Sequence, residues 1–318
     1  MVEQAPLKGK VAGSNPAGGT KNFMEKITPE IFREIFKERD KEKYYIKYEF
    51  GLLLVLGGSE LYSGSPALVS LAAFRTGVGM VRIFAPKRAA DIIASFSPNL
   101  AAFPLEGERF EKKHIPILLE NIVTAKEVAF SNTALVLGGG LGRSLETQEA
   151  VCELLSQVDI PVVVDADGIW AISKKIENFK GKNFLVTPHG YEFYVLTGKR
   201  IEKEMKLEEK AEIVKEKAKE LGMTILLKGN PDIISDGEKV YLNYTGSPYM
   251  AVGGTGDTLA GICGALLARK ISPLLCAVAG AYLNGKAGEL AAEKFRDGLL
   301  ATDVIKFIPT AIKSLYGE

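Results

Sequence analysis

A chain of 318 residues with 40 Lys and Arg against 39 Asp and Glu carries a formal net charge of +1, so no global field draws in nucleic acid or an anionic membrane, and any phosphate must be met by a local site. Three widely spaced cysteines and two histidines make neither a disulfide framework nor a His-rich metal cluster, and they suit a reducing cytoplasm. The longest apolar runs, 258–268 and 274–283, are separated by Arg269 and Lys270 and reach about half of the ~20 residues a membrane span needs, which leaves small molecules as the expected partners.

Residues 1–23 carry Pro, Gly, Ser and Lys without a periodic apolar face, and they read as disordered or as a non-native leader. The string AGSNPA at 12–17 is also what the T-arm of a transfer RNA gene would encode, which makes Met24 a candidate start. No apolar core of a secretory signal precedes it. From there, Thr28-Pro29-Glu30 is a helix opening, with Thr as cap and Pro at the first helical position, and it predicts a helix running into 31–44.

After Phe50 the pattern alternates between strand and helix. Strands are expected at 52–58, 80–86, 134–140, 161–167, 184–189 and 224–229, and a helix over 65–77 follows the first. Val, Ile and Leu occupy both faces of these strands, which predicts a mostly parallel sheet covered on both sides and hence a three-layer α/β class. Two short strands around Asp236-Gly237 predict an antiparallel hairpin at one edge. The Glu/Lys alternation over 207–221 is a solvated helix, and beyond Thr258 the chain is almost all helix, rich in Ala and Gly. No repeat or composition shift marks a second domain, so 24–318 is expected to form one.

In open parallel sheets ligands bind beyond the carboxyl ends of the strands, and here the loops in those places are GGSELYSGSP (57–66), GGGLGRS (138–144), DADG (165–168), TPHGYEF (187–193), KGNPD (228–232) and TGSPYMAVGGTGDTLAG (245–261). Six small or polar loops suit a nucleotide plus a second substrate. The strongest signal is Gly253-Gly254-Thr255-Gly256-Asp257-Thr258 running into a helix. The glycines allow successive N–H groups to face one point, and the helix N-terminus adds about half a positive charge, so Gly254, Thr255, Gly256 and Asp257 form an expected anion hole. Asp257 has two readings: a cap for the helix, or a general base for an attacking hydroxyl.

GGTGDTLAG, with GLG at 140–142, TPH at 187–189 and KGN at 228–230, resembles the carbohydrate-kinase-like dehydratases that repair hydrated NADH and NADPH, a branch of the ribokinase-like fold. The likeness spans about 30–316, in the same motif order. It implies a hydro-lyase that uses Mg²⁺ and ADP or ATP to phosphorylate the C6 hydroxyl of the (6S)-hydrate, after which the ring nitrogen expels phosphate and C5 loses a proton. Many members carry an N-terminal epimerase domain; dehydratase activity alone is expected here. The resemblance further implies a cytoplasmic homo-oligomer, tetrameric or larger.

By the family's motif positions, Ser65, Gly140, His189 and Asp257 contact the hydrated dinucleotide, while Lys228, Gly229, Asn230, Pro231, Asp232 and Gly256 hold the adenine nucleotide. Each also has a structural reading: Ser65 as a helix cap, Gly140 as a turn residue, His189 as a buried histidine, Lys228 as a snorkelling side chain. Asp165 and Asp167 either take Mg²⁺ through water or cap the next helix. The sequence departs from the family at Gly190-Tyr191, where Pro-Gly is common, at Asn284, where many members have His, and at Ile46-Lys47-Tyr48. Two rivals remain: an alcohol kinase of the same fold, acting on a sugar or hydroxymethylpyrimidine, and a non-catalytic nucleotide sensor, against which the presence of Asp257 argues.

Overall fold

The computed structural model describes residues 24–316 apart from 33, 34, 37 and 38; the readings of 1–23 lie outside the described residues. One sheet carries ten strands, β1 Met24–Lys26, β2 Leu52–Leu56, β3 Met80–Pro86, β4 Ala102–Leu105, β5 Thr133–Leu137, β6 Val162–Val164, β7 Phe184–Val186, β8 Thr224–Leu227, β9 Asp232–Ser235 and β10 Val240–Asn243. They lie in the order β1-β10-β9-β8-β7-β6-β5-β2-β3-β4. Every pairing is parallel except those of β9 with β8 and β10.

The helices are α1 Gly64–Thr76, α2 Lys87–Phe96, α3 Ile115–Val128, α4 Leu145–Gln157, α5 Asp167–Ser173, α6 Gly190–Thr197, α7 Leu207–Leu221, α8 Thr255–Leu267, α9 Pro273–Phe295 and α10 Ala301–Lys313. Alternation along the strands divides the interior in two. Leu53, Val55, Val136, Val163, Leu185 and Leu226 face a core shared with α1, α2, α8, α9 and α10. Leu52, Leu54, Leu56, Leu135, Leu137, Val162 and Val164 face the other core, shared with α3 to α7. Strands fully buried on both faces explain why the sequence showed apolar runs in place of a two-residue alternation.

The hairpin at Asp236-Gly237 is present as β9 and β10, but β1 pairs outside β10 and is the outermost strand. The long helix expected after Thr28 is not what the described residues show. Pro29–Phe32 form a single 3-10 turn, and the backbone from 39 to 46 is irregular. Phe32, Ile35 and Phe36 are buried against the α8–α10 side of the sheet; anchoring these side chains satisfies their hydrophobicity within one turn and removes the gain from continuing a marginal helix. The Ala and Gly residues of the late helices are consumed within the chain: Ala260, Ala265, Ala277, Ala279 and Ala287 are buried where α8 and α9 pack.

Strand order sets the position of the site. From β2 the chain proceeds to β3 and β4 on one side, then returns to β5 on the other side of β2 and continues outward to β8. The topological switch point, where ligands of open parallel sheets bind, therefore falls between β2 and β5, and the loops leaving these strands touch there, the Gly58 amide donating to the Gly139 carbonyl at 2.9 Å.

Candidate active site

Helix α8 begins beside that switch point, against Ser65 after β2 and Gly139 after β5. Gly254, just before it, has φ +98°, a conformation costly to any residue with a Cβ, and this sharp entry aims the first turn at the strand ends. The amides of Thr255, Gly256 and Asp257 have no carbonyl a turn below to accept them. Thr255 Oγ1 donates to the carbonyls of Met250 (3.0 Å) and Val252 (3.1 Å), fixing the incoming loop. Asn284 of α9, buried, accepts from Thr258 Oγ1 at 2.6 Å and donates to the Thr255 carbonyl at 3.2 Å. The residue noted as a departure from the family pattern thus clamps the first turn of α8.

Asp257 lies in this first turn, and its Oδ1 accepts from Ser65 Oγ across 192 residues of sequence. Ser63, not Ser65, precedes α1. Both side chains that could have been caps are therefore turned toward each other. Gly139 makes their approach feasible: a Cβ there would lie 1.8 Å from Ser65 Oγ and 2.9 Å from Asp257 Oδ1. Burial pushes the Asp257 carboxyl up from 3.8 to about 6; the Ser65 hydrogen bond and the Lys228 charge pull it down, while Asp165 pushes it further up. Such a carboxyl is matched to proton transfer near neutral pH.

Lys228 follows β8 and reaches back toward the same point. Its Nζ donates to Asp165 Oδ1 at 3.1 Å and lies 3.8 Å from Glu192 Oε2. Burial disfavours its charge, but Asp165 and Glu192 more than offset this, and its pKa rises. A Cβ on Gly256 would sit 3.6 Å from the ammonium, which places this cation beside the start of α8. Three carboxylates share one ammonium here. Asp165 and Glu192 hold it directly, so Asp257 is the group whose charge is compensated least.

Asp165 is buried and also accepts from Thr187 Oγ1 at 2.6 Å. Ala166, next in the chain, has φ +46° and ψ −121°, a strained conformation that separates the directions of Asp165 and Asp167. Asp167 turns to the loop after β5, accepting from the Gly142 amide at 2.9 Å and Arg143 Nε at 2.7 Å. Neither aspartate caps α5. Gly140, φ +69°, sits in that loop facing Tyr62. His189 is half exposed, and its Nδ1 accepts the amides of Tyr191 (3.1 Å) and Glu192 (3.3 Å), capping α6, while its own amide donates to Glu192 Oε2 at 2.9 Å. With Nδ1 an acceptor, the neutral ring carries its proton on Nε2.

On the β9 side of Lys228 lies a cavity of about 550 Å³ lined by Lys228, Gly229, Asn230, Asp232, Tyr244 to Pro248, Thr255, Gly256, Asn284 and Gly285 among others. Its volume is that of a nucleotide site. Asp232, pushed up by burial, accepts the Gly229 amide at 2.8 Å and Asn243 Nδ2 at 2.9 Å, which shapes the 228–232 loop around the cis Asn230-Pro231 bond. Pro231 lines a neighbouring cavity instead.

A family model described as NAD(P)H-hydrate dehydratase matches residues 53–310. The chain belongs to this family. It is 41% identical over 270 residues to a bifunctional NAD(P)H-hydrate repair enzyme of Pyrobaculum aerophilum, covering 84% of this chain and 51% of that one. It is 37% identical over 268 residues to an ADP-dependent (S)-NAD(P)H-hydrate dehydratase of Cenarchaeum symbiosum, covering 84% and 90%. The chain thus spans about half the length of the bifunctional relatives and most of the ADP-dependent one. Among solved structures it is similar to the ADP/ATP-dependent dehydratase of Bacillus subtilis co-crystallised with ATP and Mg²⁺, with TM-score 0.70, 26% identity and coverage of 91% and 97%. A ribokinase-like protein of Enterococcus faecalis gives TM-score 0.77 at 25% identity.

Within this family site, Ser65, Gly254, Thr255, Gly256, Asp257 and Lys228 converge at one point, and Gly229, Asn230 and Asp232 line the adjoining cavity. Sequence reasoning missed Glu192, Thr187 and Gly139. Glu192 stands three residues after His189, the spacing of a capping box, which was a legible signal. The roles of Gly139 and Thr187 depend on long-range approach and left no local trace. Among the described residues no helix is long and apolar enough to cross a membrane.

Proposed function

We propose that this chain dehydrates the (6S)-hydrate of NADH or NADPH at the expense of ADP or ATP, restoring the reduced dinucleotide. The observation that carries the reading is the half-buried Asp257 carboxyl, raised to about 6, bonded to Ser65 at the head of α8 and next to a nucleotide-sized cavity. The hydrate's C6 hydroxyl gives its proton to Asp257 and its oxygen attacks the terminal phosphorus; AMP leaves from ADP, or ADP from ATP. The developing charge on the transferring group meets the amides of Gly256 and Asp257 and the Lys228 ammonium. The ring nitrogen's lone pair then expels phosphate, and loss of the C5 proton completes the double bond. Ser65, Gly140 and His189 orient the ring side; Lys228 to Asp232 hold the nucleotide. ADP is the expected donor, in keeping with the names of the archaeal relatives.

Mg²⁺ fits this donor set in one way only. Among the described residues no group of three or more His, Cys, Asp or Glu side chains could cage an ion, so the ion fits as a phosphate-borne one that keeps its waters. Asp165 is the carboxylate placed to take such a water, because Asp167 spends both oxygens on Gly142 and Arg143. Bound Mg²⁺ would neutralise phosphate charge. The assay is absorbance at 340 nm with the NADH hydrate and Mg²⁺, adding ADP or ATP. A nucleotide-dependent rise with release of inorganic phosphate is expected. No rise, with a stable phosphate ester formed from an alcohol, would make the protein a kinase.

A further inference from the structure

The hydrated dinucleotide is long, and only its nicotinamide end is used by the chemistry at Asp257. The cavity assigned to the nucleotide lies on the β8–β9 side of Asp257, so the substrate's adenosine half is left the loops after β5, β6 and β7. Those loops end in a surface that neither the phosphoryl-transfer site nor the core requires. Three residues past Gly140 is Arg143, and its guanidinium lies 4.1 Å from the Trp170 ring centroid. Two residues past His189 is Tyr191, 57% exposed, its ring 5.8 Å from Trp170 and 6.1 Å from Tyr194. Arg200 lies over Tyr194 at 4.7 Å.

An exposed tyrosine ring on a helix surface leaves apolar area in water and contributes little burial energy to folding, yet here two further aromatic rings brace it. The Arg143 side chain is also held in place, by Asp167 at 2.7 Å, and the same carboxylate fixes the Gly142 amide. The result is a braced flat ring whose two aromatic neighbours each carry a guanidinium, Arg143 over Trp170 and Arg200 over Tyr194, the combination that stacks a purine base and meets its phosphates. Both ends of the patch are continuous with Gly140 and His189, the residues expected to touch the hydrate.

We infer that Tyr191, braced by Trp170, which Arg143 covers, is the stacking platform for the adenosine half of the hydrated dinucleotide. This rests on the dehydratase reading above. Tyr191 is a binding residue remote from the reacting atoms, so its loss raises KM and spares kcat. For Tyr191→Ala, KM for the NADH hydrate should rise about tenfold or more, the size of one base stack, with kcat within twofold of wild type. The hydrate of reduced nicotinamide mononucleotide lacks the adenosine, and its KM should be the same in wild type and variant. An equal change for both substrates, or none for either, overturns the inference.

A second readout separates this from the dehydratase reading. Trp170 is the only tryptophan, so its fluorescence can be titrated with NADP⁺ in wild type and in Tyr191→Ala. Binding weakened about tenfold in the variant supports the platform even in a protein that turns over no hydrate, an outcome that would sink the dehydratase reading alone. Binding of equal strength in both proteins refutes the platform.

Discussion

Replacing Asp257 by Asn should stop turnover and make the protein more stable. The folded state raises this carboxyl from 3.8 to about 6, so it binds a proton more tightly than the unfolded chain does. As pH climbs from about 4 to 6 the unfolded state loses its proton first, and stability falls. Above 6 the full cost is present, about 3 kcal/mol from the rise in pKa at about 1.4 kcal/mol per pH unit. Asn has no charge to desolvate, and its amide oxygen can still accept from Ser65. For a chain of this size the gain corresponds to roughly 6 °C in melting temperature. Thermal melts of both proteins at pH 4 and pH 8 test this: equal midpoints at pH 4 and a higher midpoint for the variant at pH 8 are expected. Turnover should fall by about 10²–10⁴, the usual worth of a general base. A variant that is inactive but no more stable at pH 8 would show that the buried carboxylate is compensated in the folded protein, and the argument from desolvation would fail.

In the wild type, kcat/KM should fall about tenfold per pH unit below pH 6, because the base must be ionised; Ser65→Ala removes a hydrogen bond that lowers the Asp257 pKa, so a pH–rate profile should show that limb moving above 6. Gly139→Ala puts a methyl 1.8 Å from Ser65 Oγ and should cost at least 100-fold in activity while the far-ultraviolet circular dichroism stays native. Lys228→Met leaves Asp165 and Glu192 buried without their cation, so chemical denaturation should show a loss of about 3–5 kcal/mol, and a titration with ADP should show weaker nucleotide binding.

The likeness between sequence expectation and structure was closest where one local rule decided the outcome. Apolar runs ending in glycine located β2, β5 and β8, and the Asp-Gly pair located the β9–β10 hairpin. The glycines of 253–256 marked the start of α8, which Gly254 at φ +98° opens. Local rules also failed in a consistent way. Thr28-Pro29-Glu30 is a sound helix opening, yet the described residues there show one 3-10 turn, Pro29–Phe32, with Phe32, Ile35 and Phe36 buried against the sheet. Strand β1 has only three residues, too few to show a pattern, and it exists because β10 offers it a free edge.

What the sequence by itself determined was the chemistry available at each strand end: a carboxyl, a lysine, a histidine, and glycines that let backbone approach ligand. What only the tertiary structure decided was the use of each. Ser65 and Asp257 were each plausible helix caps, and they became partners because α1 packs against α8 and Gly139 leaves room for the contact. Asp165 and Asp167 were equivalent on paper; the strained Ala166 sends one to Lys228 and the other to Arg143. Side-chain type is inherited from the sequence residue by residue, but burial and charge placement are properties of contacts between distant segments, and burial, helped by Asp165, raises the Asp257 carboxyl to about 6 against the pull of Ser65 and Lys228.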